Sequence, residues 1–223
     1  MEKRKQSAAH LQEMRSKVLA AAKALFLKQG YRKTTIRQIV ERSGVLTGSI
    51  YHFFHNKEDL FQALVLALMK ECVDIIDERL PAEAPIFKYA AMCITELKAV
   101  ECNALVLESY YEGYNSKVIF EHMVDHQTAV SERMFASSGL GYSHEDYYRC
   151  ALLTKGALRS CVMECYFSHP VDFQASWSMM LRMILPLYGA KDAAVKKTIL
   201  HLEELHAEID DICRILIERA SVL

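Results

Sequence analysis

Apolar and polar positions follow a helical period along most of the chain. Over residues 11–29, Val18, Ala21, Ala22, Leu25 and Phe26 fall on one stripe, while Arg15, Lys17, Lys23 and Lys28 fall outside it. The pattern predicts a helix that Gly30 ends as a C-terminal cap. A second helix is predicted to begin at Thr35, whose hydroxyl can accept from the Gln38 N–H while the Gln38 side chain reaches back, a capping box. Ile36, Ile39 and Val40 supply its buried face, and Ser43-Gly44 stops it, because glycine tolerates the left-handed conformation of a tight turn. Val45 is placed to plug the angle with a short third helix over residues 47–53. Asn56 then caps a long connecting helix through Leu60, Phe61, Leu64, Leu68, Cys72 and Ile75, with Glu58 and Asp59 complementing the dipole of its first turn.

Pro81 and Pro85 interrupt the pattern, and further helices are predicted at 86–100, 102–113, 117–137, 144–167, 171–188 and 191–220. The last keeps Val195, Ile199, Leu202, Ile209 and Leu216 near heptad spacing, with Leu205 and Ile212 beside them, so it should lie along a neighbour. His206 and Cys213 interrupt that seam. Residues 137–141 form the clearest loop of the second half.

Composition supports an all-α class: 52% of the 223 residues are apolar, and 8 Gly and 4 Pro leave few strand-turn signals. No run reaches the roughly 18 uncharged apolar residues of a membrane span, and the start of the chain lacks an apolar secretory core, so a cytoplasmic protein without membrane contact is expected. The seven cysteines (72, 93, 102, 150, 161, 165, 213) form no CxxC pair and read as reduced core fillers.

Charge sharpens this picture. Residues 1–57 hold 12 Lys and Arg against 3 Asp and Glu, whereas the remainder holds 15 against 25. A basic head on an acidic body suits a protein that meets a polyanion at one end, since neutralising phosphates dominates nucleic-acid affinity. A basic tail with ordinary solvated faces gives the same count.

Two short helices joined at Gly44 have the form of a helix-turn-helix, in which the second lies in the major groove. The run Gly30-Tyr31-x-x-Thr34-Thr35-Ile36-Arg37-Gln38-Ile39-Val40, then Gly44-Val45-x-Thr47-Gly48-Ser49-Ile50-Tyr51-His52-Phe53-Phe54-x-Asn56-Lys57-Glu58-Asp59-Leu60, resembles the TetR family signature over about 45 residues. The resemblance implies an N-terminal three-helix DNA-binding domain, residues 1–55, followed by a larger helical effector-binding and dimerisation domain, residues 56–223. It implies that Tyr51, His52 and Lys57 touch phosphates, that Thr35 does so from its helix start, and that Arg37, Leu46, Thr47, Gly48 and Ser49 face bases or the adjacent backbone. The chemistry agrees: Tyr and His can hydrogen-bond phosphate oxygens, and Gly48 allows close backbone approach. Arg37 can pair with guanine O6 and N7, and Thr47 or Ser49 can bond several bases. Leu46 departs from the small or polar residue usual in the family, which suggests a thymine-methyl contact or a tighter turn. Phe53 reads as a core plug, Tyr51 as exposed, and Lys3, Arg4 and Lys5 as an arm that can reach phosphates or the minor groove.

By position, the helices at 144–167 and 171–188 are expected to pair with their copies in a homodimer that matches two half-sites of double-stranded operator DNA. Phe87, Tyr89, Met92, Cys93, Cys102, Tyr110, Tyr111, Tyr114, Phe120 and Met123 form an aromatic and sulfur-rich set that can line a pocket for a largely hydrophobic small-molecule effector, although such stripes are usually core. Such an effector would relieve repression by favouring a conformation out of register with the groove. No cofactor is expected. His122/His126 and Cys161/Cys165 share i, i+4 spacing, which leaves a metal- or thiol-responsive regulator as an alternative, but nothing supplies further ligands. No GxSxG, HExxH or phosphate-cradling loop points to an enzyme. A helical protein-interaction module with a basic head is the other alternative.

Overall fold

In the computed structural model, which describes residues 2–167 and 172–222, and side chains of 9–167 and 172–219, local capping sets most helix boundaries. Helix α1 (Glu2–Gln29) starts earlier than the apolar stripe predicts. Glu, Lys, Arg, Gln and Ala in its first turns are strong helix formers, and no Gly or Pro stops them. The arm residues Lys3, Arg4 and Lys5 have side chains outside the described residues. Helix α2 (Ile36–Ser43) opens with the Thr35–Gln38 capping box and closes at Gly44, φ 68°. Helix α3 is Thr47–Phe53, and α4 (Lys57–Arg79) opens with Asn56 Oδ1 accepting from the Asp59 N–H at 2.8 Å. Behind this unit lie Val18, Phe26, Ile39, Val45, Ile50 and Phe54. The core plug at the end of α3 is therefore Phe54, while Phe53 is half-buried.

The second half consists of α5 (Pro85–Cys102), α6 (Ala104–Asn115), α7 (Lys117–Phe135), α8 (His144–Glu164) and α9 (Phe173–Ile184). Asn103 starts α6 two residues later than predicted, because its Oδ1 accepts from both Leu105 and Val106 N–H groups. Val171, predicted to start the next helix, lies outside the described residues, and Asp172 caps α9. That helix passes into a 3₁₀ turn at Leu185–Tyr188, where Pro186 removes a backbone donor.

The single helix predicted over 191–220 is two: α10 (Asp192–Glu204) and α11 (His206–Val222). The break at Leu205 lets the two apolar seams share α5 and diverge beyond it. Helix α10 packs on α9 and α5, and α11 lies along α4 and α5. Cys213 is buried with Ile209, Ile212 and Leu216, so it belongs to the seam it was expected to interrupt. No strand occurs among the described residues, and none of their helices is long and apolar enough to cross a membrane.

Candidate nucleic-acid interface and effector core

The residues that bury Ile39, Val45, Ile50 and Phe54 leave another set outside. Thr35, Arg37, Leu46, Thr47, Gly48, Tyr51 and His52 are exposed, and Ser49 is half-buried. Leu46 is 78% exposed, a position where an apolar side chain gains nothing from its own fold. As the α3 N-cap it offers no side-chain acceptor, and its carbonyl receives the Ser49 and Ile50 N–H groups. Arg37 extends from α2 and pairs only with Glu41 on the same exposed surface, at 2.9 Å. Lys57 is placed differently from a free phosphate ligand: its ammonium donates to the Tyr31 and Thr34 carbonyls at 2.9 and 3.0 Å and lies 4.2 Å from the Tyr31 ring centroid. One of its three N–H donors remains.

The turn that Lys57 ties down also meets the second half of the chain. Glu108 Oε1 accepts from the Tyr31 N–H at 3.0 Å, Glu112 pairs with Arg32 at 2.7 Å, and Ser116 donates to Glu58. Gly30 allows this approach, since a Cβ there would stand 2.6 Å from Glu108 Oε1 and the backbone is left-handed at φ 83°. Beside this junction Lys23 departs from the solvated position its place outside the stripe suggested. Its ammonium is buried without a hydrogen-bond partner, next to a cleft with Phe26, Leu64, Leu68 and Val106, and burial lowers its pKa to about 8.

The aromatic and sulfur-rich set does not line one cleft. Phe87 packs on the His201 ring at 4.6 Å, Tyr111 on Tyr166 at 4.3 Å, and Tyr114 on Phe120 at 5.8 Å. Cys102 is exposed in a cleft with Cys213 and Arg214, and Phe120 borders another on α8 with Gly156 and Met163. Met92, Cys93, Tyr110, Tyr114 and Met123 are buried together with Tyr89 in the interior. There the structure adds charged and polar groups that hydrophobic patterning passed over. Glu96 of α5 and Lys155 of α8, 2% and 0% exposed, form an ion pair at 3.0 Å. Around them the Tyr114 hydroxyl has no partner and the Tyr110 hydroxyl is directed at Glu96, and burial, then the Glu96 charge, holds both phenols well above their ordinary pKa. His126 is pushed down to about 4 by burial and by the Lys155 charge, and His122 pairs with Asp125 at 3.8 Å instead of sharing a ligand with it. Among the described residues no group of three His, Cys, Asp or Glu is arranged to hold a metal ion.

A short exposed recognition helix braced on a capped second helix is the geometry of a helix-turn-helix DNA-binding domain. Residues 18–64 match the family described as bacterial regulatory proteins, tetR family, which is the segment that holds the helix-turn-helix. It is similar to the HTH-type transcriptional repressor KstR2 of Mycobacterium tuberculosis, 30% identical over 98 residues, 42% of this chain and 48% of that protein. The match thus spans about half the length of that relative. KstR2 of Rhodococcus jostii is 24% identical over 170 residues, 74% of each chain. Among solved structures, RolR in complex with resorcinol shares the fold, with a TM-score of 0.63 and 17% identity over 86% of this chain and 95% of that one.

Proposed function

We propose that the chain is a ligand-responsive transcriptional repressor that binds operator DNA as a homodimer and is released by a small effector with a largely hydrophobic body. The observation that carries this reading is the division of α2 and α3 between a buried back (Ile39, Ile50) and an exposed front (Arg37, Leu46, Thr47, Gly48, Tyr51, His52). An exposed Leu and Tyr beside a cation held only by an exposed i, i+4 pair are a poor surface for water alone and a good one for a major groove. In this reading Tyr51, His52, Thr35 and the remaining N–H of Lys57 hold phosphates, while Arg37, Leu46, Thr47 and Ser49 meet base edges, with Gly48 admitting the backbone. Residues 1–55 are the DNA-binding unit and 56–223 the effector and dimerisation unit, and the protein works in the bacterial cytoplasm, where operators are.

Dimerisation is supported by Leu152, Leu153, Met179 and Met183, large apolar side chains exposed on α8 and α9. Repression is supported by the KstR2 relatives, which are named repressors. Release is supported by the contacts from α6 to Tyr31 and Arg32, through which a shift of the effector core reaches the recognition helices. An effector acts only by its differential affinity for the two arrangements.

The test is fluorescence anisotropy with the upstream intergenic DNA and a genomic fragment library, across a salt series, for the parent and an Arg37→Ala/Tyr51→Phe variant of equal thermal stability. The parent should bind with strong salt dependence and the variant at least about tenfold more weakly. Equally weak binding by both to every fragment would sink the reading.

A further inference from the structure

Two polar layers cross the interior of the second half, and they differ in one respect. In the first, every hydroxyl is paired: Tyr89 donates to Tyr188 at 2.7 Å, and Ser131 lies 3.2 Å from the same oxygen, with Thr154 3.3 Å from Tyr89. That is a closed network of the kind that fixes a core. In the second, built on the Glu96–Lys155 pair one residue along α8, the groups stay open. The Tyr114 hydroxyl, Thr95 Oγ1, His126 Nδ1 and both amide atoms of Gln127 are buried with no partner within the protein, and the Tyr110 hydroxyl is directed at the Glu96 carboxylate, whose Oε1 has no strong donor. Buried polar atoms are paired as a rule, so a concentration of exceptions calls for a cause.

These atoms come from three helices, α5, α6 and α7, and α8 adds Lys155. Glu96 acts electrostatically on Tyr110 and Tyr114, and Lys155 on His126. Gln127 is fully buried on the α7 stripe between Met123, which faces Gly113 of α6, and Ser131 of the closed layer. Their chemistry defines what they recognise. A carboxylate oxygen only accepts, so it asks for a donor, while the phenols and the carboxamide serve either role. Glu96 and Lys155 cancel, so a ligand with net charge would leave that charge uncompensated in the interior. Met92, Met123, Cys72 and Cys93 are buried nearby, adaptable side chains suited to an apolar ring.

We infer that Glu96, Tyr110, Tyr114 and Gln127, with Lys155 balancing the charge, form the recognition site for an uncharged ring compound that carries at least one hydroxyl group. The inference rests on the repressor reading and gives its effector a chemical class. Helix α6 connects the site to that function. Residues two apart on a helix point about 200° from each other. Tyr110 and Tyr114 therefore face the open layer while Glu108 and Glu112 hold Tyr31 and Arg32.

The experiment titrates the full-length protein, by calorimetry and by operator release, with phenol, cyclohexanol and 2-naphthol. The same rings without the hydroxyl (toluene, methylcyclohexane, naphthalene) and with a carboxylate (benzoate, 2-naphthoate) serve as controls. At least one hydroxyl compound should bind about tenfold or more tightly than both of its counterparts and release DNA. Gln127→Leu should weaken that binding by about tenfold while raising the melting temperature, because it removes two unpaired buried atoms; a purely structural glutamine would lower it. The assignment is overturned if no hydroxyl compound is preferred, or if Gln127→Leu melts lower and binds as the parent does. Operator binding without ligand, measured on the same samples, separates this failure from failure of the repressor reading: DNA binding with no hydroxyl preference removes only the site.

Discussion

Gly30 is constrained twice, by a left-handed backbone and by the Glu108 carboxylate 2.6 Å from where a Cβ would be. Gly30→Ala should therefore lose about 1–2 kcal/mol from the backbone conformation alone. Urea denaturation should show a smaller loss in the Glu108→Ala background, since the two positions share one contact. His126 gives a pH signature. Its folded pKa is about 4 against an ordinary 6.5, so below the upper value the unfolded chain takes up a proton that the folded one refuses. Stability from this group is intact above about pH 6.5 and falls as the pH drops towards 4, by about 2 kcal/mol at pH 5. A His126→Phe variant should have a flatter melting-temperature profile between pH 7 and 5. Lys23 carries the same trend in a higher pH window: burial disfavours its charged form, so its cost declines as the pH rises from about 8 towards the ordinary lysine range. Lys23→Met should melt higher than the parent at pH 7, since it removes an ammonium without a partner.

Elements whose ends are written within three or four residues are the ones the sequence made legible. Thr35 with Gln38, Ser43 with Gly44, and Asn56 with Asp59 each close a boundary through a bond of short range, and the structure has all three. The break at Leu205 was hidden because the apolar spacing runs through it unchanged, and only the position of α4 and α9 decides that the two seams diverge. The exposed face of the recognition helix followed from the same short-range pattern. The Glu96–Lys155 pair did not, because its partners are 59 residues apart and each sits in an apolar run that reads as ordinary core. Helix α3 carries a testable compromise. Leu46 leaves its N-terminus without a side-chain acceptor. Leu46→Ser should stabilise the protein by about 0.5–1 kcal/mol in chemical denaturation. If the leucine meets a thymine methyl, the same change should weaken DNA binding in the anisotropy assay.

At the scale of the molecule, the basic head and acidic body orient it towards a polyanion from one end. On the dimer reading, the apolar side chains exposed on α8 and α9 would give that orientation a two-fold counterpart. Leu153→Glu/Met179→Glu should shift sedimentation from dimer to monomer without unfolding the chain, and should cost DNA affinity because the two half-sites are no longer bound together. An unchanged sedimentation coefficient would place the dimer face elsewhere. Helix α6 has a further consequence for such a pair. A roll about its own axis would carry its two faces in opposite directions, so a sideways shift of Tyr110 would be the reverse shift of Glu108 and of the Tyr31 N–H it holds. On the repressor reading the helix is a reversing gear, and a push from each core would arrive turned about at each head.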